Sequence, residues 1–497
     1  MTRSDFLRLG GAALAAPALI GLPSRAQGRR PKNVLLLMSD QHRRDLLAIE
    51  GNPLARTPNL DTLARSGVRF GAAYCSNPVC TPSRASLLTG LYTHHHQTWS
   101  NTTPWPFEHK TAAHYFGRAG YMTALIGKMH FVDAQTHGFD YRLDFNDWFQ
   151  SLGPKTKLYA DELSRANSGS GMPQIDDLWR DTGDPWKGAR TLDAREGSVA
   201  VGGASKIPEP DHFESFVARE TVRFLREHGT KQPFFAIASC LKPHDPFMPA
   251  ERFAAMYRAG DMTLPSTWGK VDLAKAPREV QNSIERHAAT PEMRDPAQAR
   301  QRIAMYYANL GQMDDAIGKV LAALRELDLE RDTVVVYTSD HGEMLGDHGL
   351  WAKFEFYEGS CGVPLIVRAP GVTTAGSRCA IPVSQVEILP TLGELCGIDL
   401  PTLDGRSLMP QLRAAAAQRD ESVFAEFNLR TARAKYMIRR GDFKYTFRAN
   451  GDVPELYDLR SDPGEMDNLA LRPAARGRVE KMKSDLFAWY SPPEIKQ

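Results

Sequence analysis

Residues 34–42 read VLLLMSDQH and residues 334–342 read VVVYTSDHG. Each is an unbroken apolar run closed by Ser-Asp and a polar residue. A strand covered on one face alternates apolar and polar positions; a run without alternation is covered on both. MTALI (122–126), FFAIA (234–238) and PLIVRA (364–369) have the same character. Amphipathic helix candidates lie between these runs: NLDTLARSG (59–67), FVARETVRFLREH (216–228) and YYANLGQMDDAIGKVLAALREL (306–327). Doubly buried strands alternating with helices predict an α/β fold built on a mostly parallel, doubly wound sheet.

In an open sheet of that kind, ligands bind beyond the carboxyl ends of the strands. Asp40-Gln41 and Asp340-His341 stand at two such ends. Adjacent side chains on a strand point to opposite faces, so each pair reaches one ion only from the turn after its strand. Two carboxylates, an amide oxygen and an imidazole suit a divalent cation that prefers hard oxygen ligands. A lone Ser-Asp after a strand reads as a helix N-cap; two matching ends favour the ion.

The stretch NPVCTPSRASLLTG (77–90) adds a third element. Thr81 is a suitable N-cap, Pro82 fits the first helical position, and the pattern runs to Gly90. Cys80 is thus predicted at a helix N-terminus, which favours an anion and lowers a thiol's pKa. A plain thiol nucleophile fits this reading. A metal knuckle of Cys75, Cys80 and His94-His95-His96 fits poorly, because a four-residue gap between cysteines is wrong for zinc.

The chain has 497 residues, enough for two or three domains. Its 61 Lys+Arg against 59 Asp+Glu give no basic excess, which argues against a nucleic-acid partner. Residues 1–26 read as an export signal: basic residues, an apolar run from Leu9 to Leu22 too short to span a bilayer, and a small-x-small site at Ser24-Arg25-Ala26. TRSDFLR (2–8) resembles a twin-arginine signal with Ser4 in place of the second arginine. A periplasmic protein is expected, with no stable membrane span. Six cysteines make no disulfide framework, though one or two bridges are open in an oxidising compartment. Residues 150–212, rich in Gly, Ser, Pro and Asp, read as a long insertion near the site. The main domain is expected over 27–412. After RAAAAQR (413–419), short strand patterns predict a C-terminal α+β subdomain with an antiparallel sheet over 413–497.

Cys80-Thr81-Pro82-Ser83-Arg84 resembles the C-x-P-S-R signature of the type I sulfatases of the alkaline phosphatase superfamily. The resemblance covers nearly the whole mature chain. Its further motifs follow in order: GKMH (127–130), LKPHDPF (241–247), GLWAKF (349–354) and ELYDLRSDPGEMDNLA (455–470). It implies that Cys80 is oxidised to formylglycine by a formylglycine-generating enzyme, and that the chain hydrolyses a sulfate monoester. It implies a metal held by Asp40, Gln41, residue 80, Asp340 and His341. The family's usual metal is calcium; a histidine in the set makes manganese the alternative. Gln41 and His341 depart from the commonest Asp and Asn. By the same resemblance Lys128 and His130 flank residue 80, and their spacing puts both on one side of an extended segment. His244 matches the leaving-group histidine, Lys353 a sulfate-binding lysine, and Arg84, one helical turn from Cys80, a holder of the nucleophile's oxygens. A phosphonate or phosphate ester hydrolase of the superfamily is the nearest alternative. A non-catalytic exported anion-binding protein with unmodified Cys80 is a second. Aryl, choline and glycan sulfates all stay open as substrates. Trp99, Trp105, Trp148, Trp179 and Trp186 suit either packing or an aromatic subsite.

Overall fold

The computed structural model describes residues 33–493 apart from 107, 132–134, 160–201, 289–290 and 420–421. The export segment, Trp179, Trp186 and most of the 150–212 insertion lie outside the described residues.

Eight strands form the main sheet: β1 (Asn33–Asp40), β2 (Val68–Phe70), β4 (Met122–Gly127), β5 (Tyr141–Leu143), β6 (Phe234–Pro243), β7 (Thr333–Ser339), β9 (Leu365–Arg368) and β10 (Ser377–Cys379). β3 (Ala73–Tyr74), β8 (Gly362–Val363) and β11 (Val383–Ser384) form a small second sheet. The main order is β10-β2-β9-β7-β1-β6-β4-β5. All neighbours are parallel except β9, which runs against both β2 and β7. β1, the strand of the first quoted run, sits near the middle, paired with β6 and β7.

Side-chain alternation divides each central strand between two cores. Leu35 and Leu37 of β1, with Val335 and Tyr337 of β7, face one core; Val34, Leu36, Met38, Val334 and Val336 face the other. The first core is covered by α1 (Pro58–Ser66) and by the helices Phe213–His228 and Pro296–Glu326. The second is covered by α2 (Cys80–Thr89) and the helices Ala112–Arg118 and Ile388–Cys396. Two helical layers over one sheet are the predicted doubly wound arrangement. Each fully buried leucine of β1 contributes about 1.5–3 kcal/mol. Because both faces are apolar, the ladder pairing rather than polarity fixes the register: Ser39 lies opposite Ser339.

The antiparallel sheet is also present, in the order β12-β13-β14-β15, with β12 (Val423–Phe427), β13 (Lys435–Arg440), β14 (Phe443–Arg448) and β15 (Glu455–Asp458). Met482 and Leu486 of the Arg476–Trp489 helix close its own core. Buried ion pairs tie it to the main body: Lys435 to Glu355 at 2.7 Å and Lys444 to Glu358 at 2.8 Å. No disulfide links any of the six cysteines.

Candidate active site

Because β1 and β7 are parallel neighbours in register, Asp40 and Asp340 emerge side by side at their carboxyl ends. Arg84 of α2 joins them: its Nε donates to Asp340 Oδ2 at 2.8 Å and its Nη2 to Asp40 Oδ2 at 3.0 Å. Nη1 donates to the Lys128 carbonyl at 2.6 Å and to Ser239 Oγ at 3.0 Å. The guanidinium, fully buried, therefore spaces the carboxylates; these bonds go to Asp40, Asp340, Ser239 and the Lys128 carbonyl, not to residue 80. Asp340 Oδ1 accepts from the Gln41 and His341 amides at 3.1 and 2.9 Å.

α2 begins at Cys80 itself, with Val79 as its N-cap and no side-chain cap bond. The capping role expected of Thr81 is thus corrected, and Pro82, expected at the first helical position, is the third residue of the helix. Thr81 N donates instead to Asn101 Oδ1 at 3.0 Å. The end is as expected, with Gly90 left-handed at φ 69°.

Cys80 Sγ lies 3.2 Å from His341 Nε2, 3.5 Å from Lys353 Nζ, 3.9 Å from Asp40 Oδ1 and 4.0 Å from Lys128 Nζ. Burial alone would push its thiol up, but Lys128, Lys353 and His341 together hold it well below the usual thiol range. Residue 80 thus sits in a field built for negative charge. Lys128 Nζ also touches Asp40 Oδ2 at 2.6 Å. The Asp40 carboxyl is held far below the usual range: burial and Cys80 push up, and Lys128, His244 and Arg84 outweigh them. Ligand atoms of Asp40, Cys80, Asp340 and His341 all lie within 4.8 Å of one another, all buried. The Cys75/His94–His96 knuckle does not form; His94 and His95 face Glu426 and Asp404 instead.

The GKMH segment is not extended. Gly127 and His130 are left-handed at φ 107° and 62°, and a Cβ on Gly127 would meet the Ser239 carbonyl at 2.0 Å. The turn, rather than strand alternation, carries Lys128 to Cys80. His130 is buried, and among the described residues its ring nitrogens have no partner of full hydrogen-bond geometry, the Cys80 side chain being the polar group it faces. Burial pushes its imidazole down; Cys80 opposes this and Lys128 adds to it.

Lys353 Nζ is a junction: 2.9 Å from Gln41 Oε1, 3.0 Å from His244 Nε2 and 3.5 Å from Cys80 Sγ. His244 Nδ1 donates to the Asp245 carbonyl at 2.7 Å, which leaves Nε2 toward the lysine. Burial and Lys353 push this imidazole down, but Asp245 and Asp40 prevail and raise it. Two residues of the site carry no expectation from the sequence. Glu343 Oε2 accepts from Gln41 Nε2 at 2.5 Å, and its Oε1 from the Leu345 and Ala352 amides. It stands three residues past Asp340 within the same turn, a proximity that could have marked it. Gln385 receives Ser83 Oγ at 3.1 Å and donates to Thr338 Oγ1 at 3.1 Å, tying α2 to β7; nothing local in its sequence signals this. Trp105 and Trp148 are packing residues, against Phe131 and Phe213.

The family model described as Sulfatase matches residues 32–398, and that of the N-sulphoglucosamine sulphohydrolase C-terminal region matches 346–490. The chain is 31% identical to the choline-sulfatase of Rhizobium meliloti over 92% of this chain and 85% of the relative. It is 30% identical to the multifunctional alkaline phosphatase superfamily protein PehA of Trinickia caryophylli, over 92% and 95%. A solved structure of the phosphonate monoester hydrolase of Agrobacterium radiobacter superposes with a TM-score of 0.73 at 26% identity, covering 93% of this chain and 95% of that one.

Proposed function

The chain belongs to the sulfatase family of the alkaline phosphatase superfamily and is an enzyme of that family, and from that premise we propose that it hydrolyses a sulfate monoester to an alcohol and sulfate through a formylglycine made from Cys80. The observation that carries this reading is the convergence of Lys128, Lys353 and His341 on residue 80.

The donor set fits a divalent metal. The carboxylates of Asp40 and Asp340 and the His341 imidazole cluster with residue 80, Gln41 Oε1 faces Lys353 beside them, and the oxygens favour calcium, with manganese as the alternative. When bound, such a metal supplies Lewis acidity that makes a hydroxyl on residue 80 acidic and offsets sulfate charge. The hydrated aldehyde supplies two hydroxyls, one to attack sulfur and one whose deprotonation expels sulfate. The other roles belong to side chains. Lys128 and Lys353 hold the sulfate oxygens. Lys353 and His244, 3.0 Å apart, deliver a proton to the leaving oxygen. His130, buried and neutral, takes the proton from the second hydroxyl. Arg84 is a positioning residue that keeps Asp40 and Asp340 at ligand spacing.

The expected setting is the periplasm, reached through the 1–26 segment, after maturation by a formylglycine-generating enzyme. Among the described residues, no helix is long and apolar enough to cross a membrane. A phosphonate monoester hydrolase is the second reading, favoured by the likeness to the Agrobacterium radiobacter structure. The test uses protein made in a host with the converting enzyme. Mass spectrometry of the residue 80 peptide should show sulfur replaced by oxygen with the further loss of two hydrogens, as an aldehyde requires, and 4-nitrophenyl sulfate should turn over faster than a 4-nitrophenyl phosphonate. Faster phosphonate turnover would select the second reading; an intact thiol in protein from the native host would remove both.

A further inference from the structure

Lys353 reaches the centre of the site from a stretch without regular structure: residues 350–357 belong to no helix or strand. Its two neighbours, Ala352 and Phe354, are both left-handed, at φ 63° and 87°. Residues with a Cβ keep such a conformation only where the surroundings enforce it. On the Ala352 side the enforcement comes from the main domain. The Ala352 amide donates to Glu343 Oε1 at 2.6 Å, and its carbonyl accepts from the Met344 amide at 2.7 Å. On the Phe354 side it comes from the C-terminal sheet. Lys435 Nζ, at the start of β13, donates to the Phe354 carbonyl at 2.9 Å. The Phe354 side chain is 45% exposed, so packing alone holds this residue poorly.

The sheet also grips the next residue. Glu355 Oε1 accepts from Lys435 Nζ at 2.7 Å, and Glu355 Oε2 accepts from Arg448 Nη2 at 3.1 Å. Lys435 and Arg448 lie directly opposite each other on β13 and β14. Like charges in that relation destabilise a sheet. Burial, then Arg448, push the Lys435 ammonium down, while Glu355 opposes them. An apolar residue would close this interface at less cost. What Lys435 adds is a donor aimed at the carbonyl of the residue bonded to Lys353. Nζ of Lys353 lies 2.9 Å from Gln41 Oε1, 3.0 Å from His244 Nε2 and 3.5 Å from Cys80 Sγ. A shift of the backbone at 353–354 would move that ammonium against all three.

We propose that Lys435 is a positioning residue of the reaction: by holding the Phe354 carbonyl it sets the place of Lys353 Nζ, and the C-terminal sheet becomes part of the site. The proposal rests on the sulfatase reading above, in which Lys353 holds sulfate and shares in protonating the leaving oxygen. Its test is a double-mutant cycle on the converted full-length enzyme, with 4-nitrophenyl sulfate and phenyl sulfate, whose leaving group is the poorer. Lys435→Met should lower kcat/KM about tenfold for the nitrophenyl ester and about 100-fold for the phenyl ester, the range that a small misplacement of a proton-delivering group costs. A mere loss of folded enzyme would lower both equally. Lys435→Arg, which keeps a donor, should recover most of the loss. In a Lys353→Ala background, Lys435→Met should cost no more than about twofold, because the residue it acts through is gone. Equal losses for the two esters, or the same loss in both backgrounds, would overturn the proposal. If Lys435→Met does not fold, Lys435→Gln, shorter and with a neutral donor, enters the same cycle and is read by the same two outcomes. If only phosphonate esters turn over, the parent reading fails on its own, and the cycle run on phenyl and 4-nitrophenyl phosphonates decides the role of Lys435.

Discussion

Glu343 determines which way the Gln41 amide faces. A glutamine has one end that accepts and one that donates, and only the partners distinguish them. The Glu343 carboxylate, pinned by two backbone amides, accepts from Nε2 and so leaves Oε1 toward Lys353. Glu343→Gln keeps the shape but can donate as well as accept, which frees the Gln41 amide to turn over. Metal affinity should fall about 10- to 100-fold, the usual cost of losing a partner that orients a ligand. Calorimetric titration of the metal-stripped variant with calcium and manganese checks this, and an unchanged affinity would exclude the role. At this scale the sequence was most legible where two motifs repeat a pattern, as at Asp40 and Asp340. It was least legible at Gln385, whose partners lie 46 or more positions away in the chain.

α1 depends on a neighbour for its start. Thr57 makes no side-chain cap bond; Asp314 of the Pro296–Glu326 helix takes the Leu60 and Asn59 amides at 2.8 and 3.1 Å. Burial outweighs these bonds and raises the Asp314 carboxyl to about 6. Asp314→Ala should lower stability by about 2 kcal/mol, a lost cap plus unsatisfied amides, read as a lower urea midpoint at unchanged slope. Asp314→Asn, which keeps an acceptor, should lose less. An unshifted midpoint in the alanine variant would show that α1 starts without it. The long helix itself opens at Pro296, ten residues before the predicted Tyr306, because Asp295 caps it through the Ala297 and Gln298 amides. Its polar first turns hid that start from a reading by apolar period. The apolar runs located β1, β4, β6, β7 and β9, but an apolar run has no direction, so the reversal of β9 was not readable.

Across the molecule, several buried histidines are held neutral and oppose acid, His42 and His96 among them. His42 sits between the Tyr337 hydroxyl and the Leu46 carbonyl, and burial pushes its pKa down to about 4. His96 accepts from the Thr98 amide and faces Ser86, and burial, then neighbouring histidines, push it to about 3. The unfolded chain protonates both near 6.5, while the folded chain keeps them neutral. Their stabilisation is therefore complete above 6.5 and declines as pH falls toward 4 and 3, by roughly 3 kcal/mol or more for each. Melting temperature should drop steadily between pH 7 and pH 4.5; a flat profile there would mean that neither ring stays neutral. One feature of the sheet reaches further than stability. The separation of Asp40 and Asp340 follows from the pairing of Ser39 with Ser339, so the spacing of neighbouring strands, about 4.8 Å, acts as a ruler for the carboxylates. The strands set the spacing of the two backbones, and Arg84 fixes the carboxylate ends within it. If the proposed metal binds there, a change of ion in this scaffold would fall to the turn positions 41 and 341, which can vary while the strand frame stays fixed.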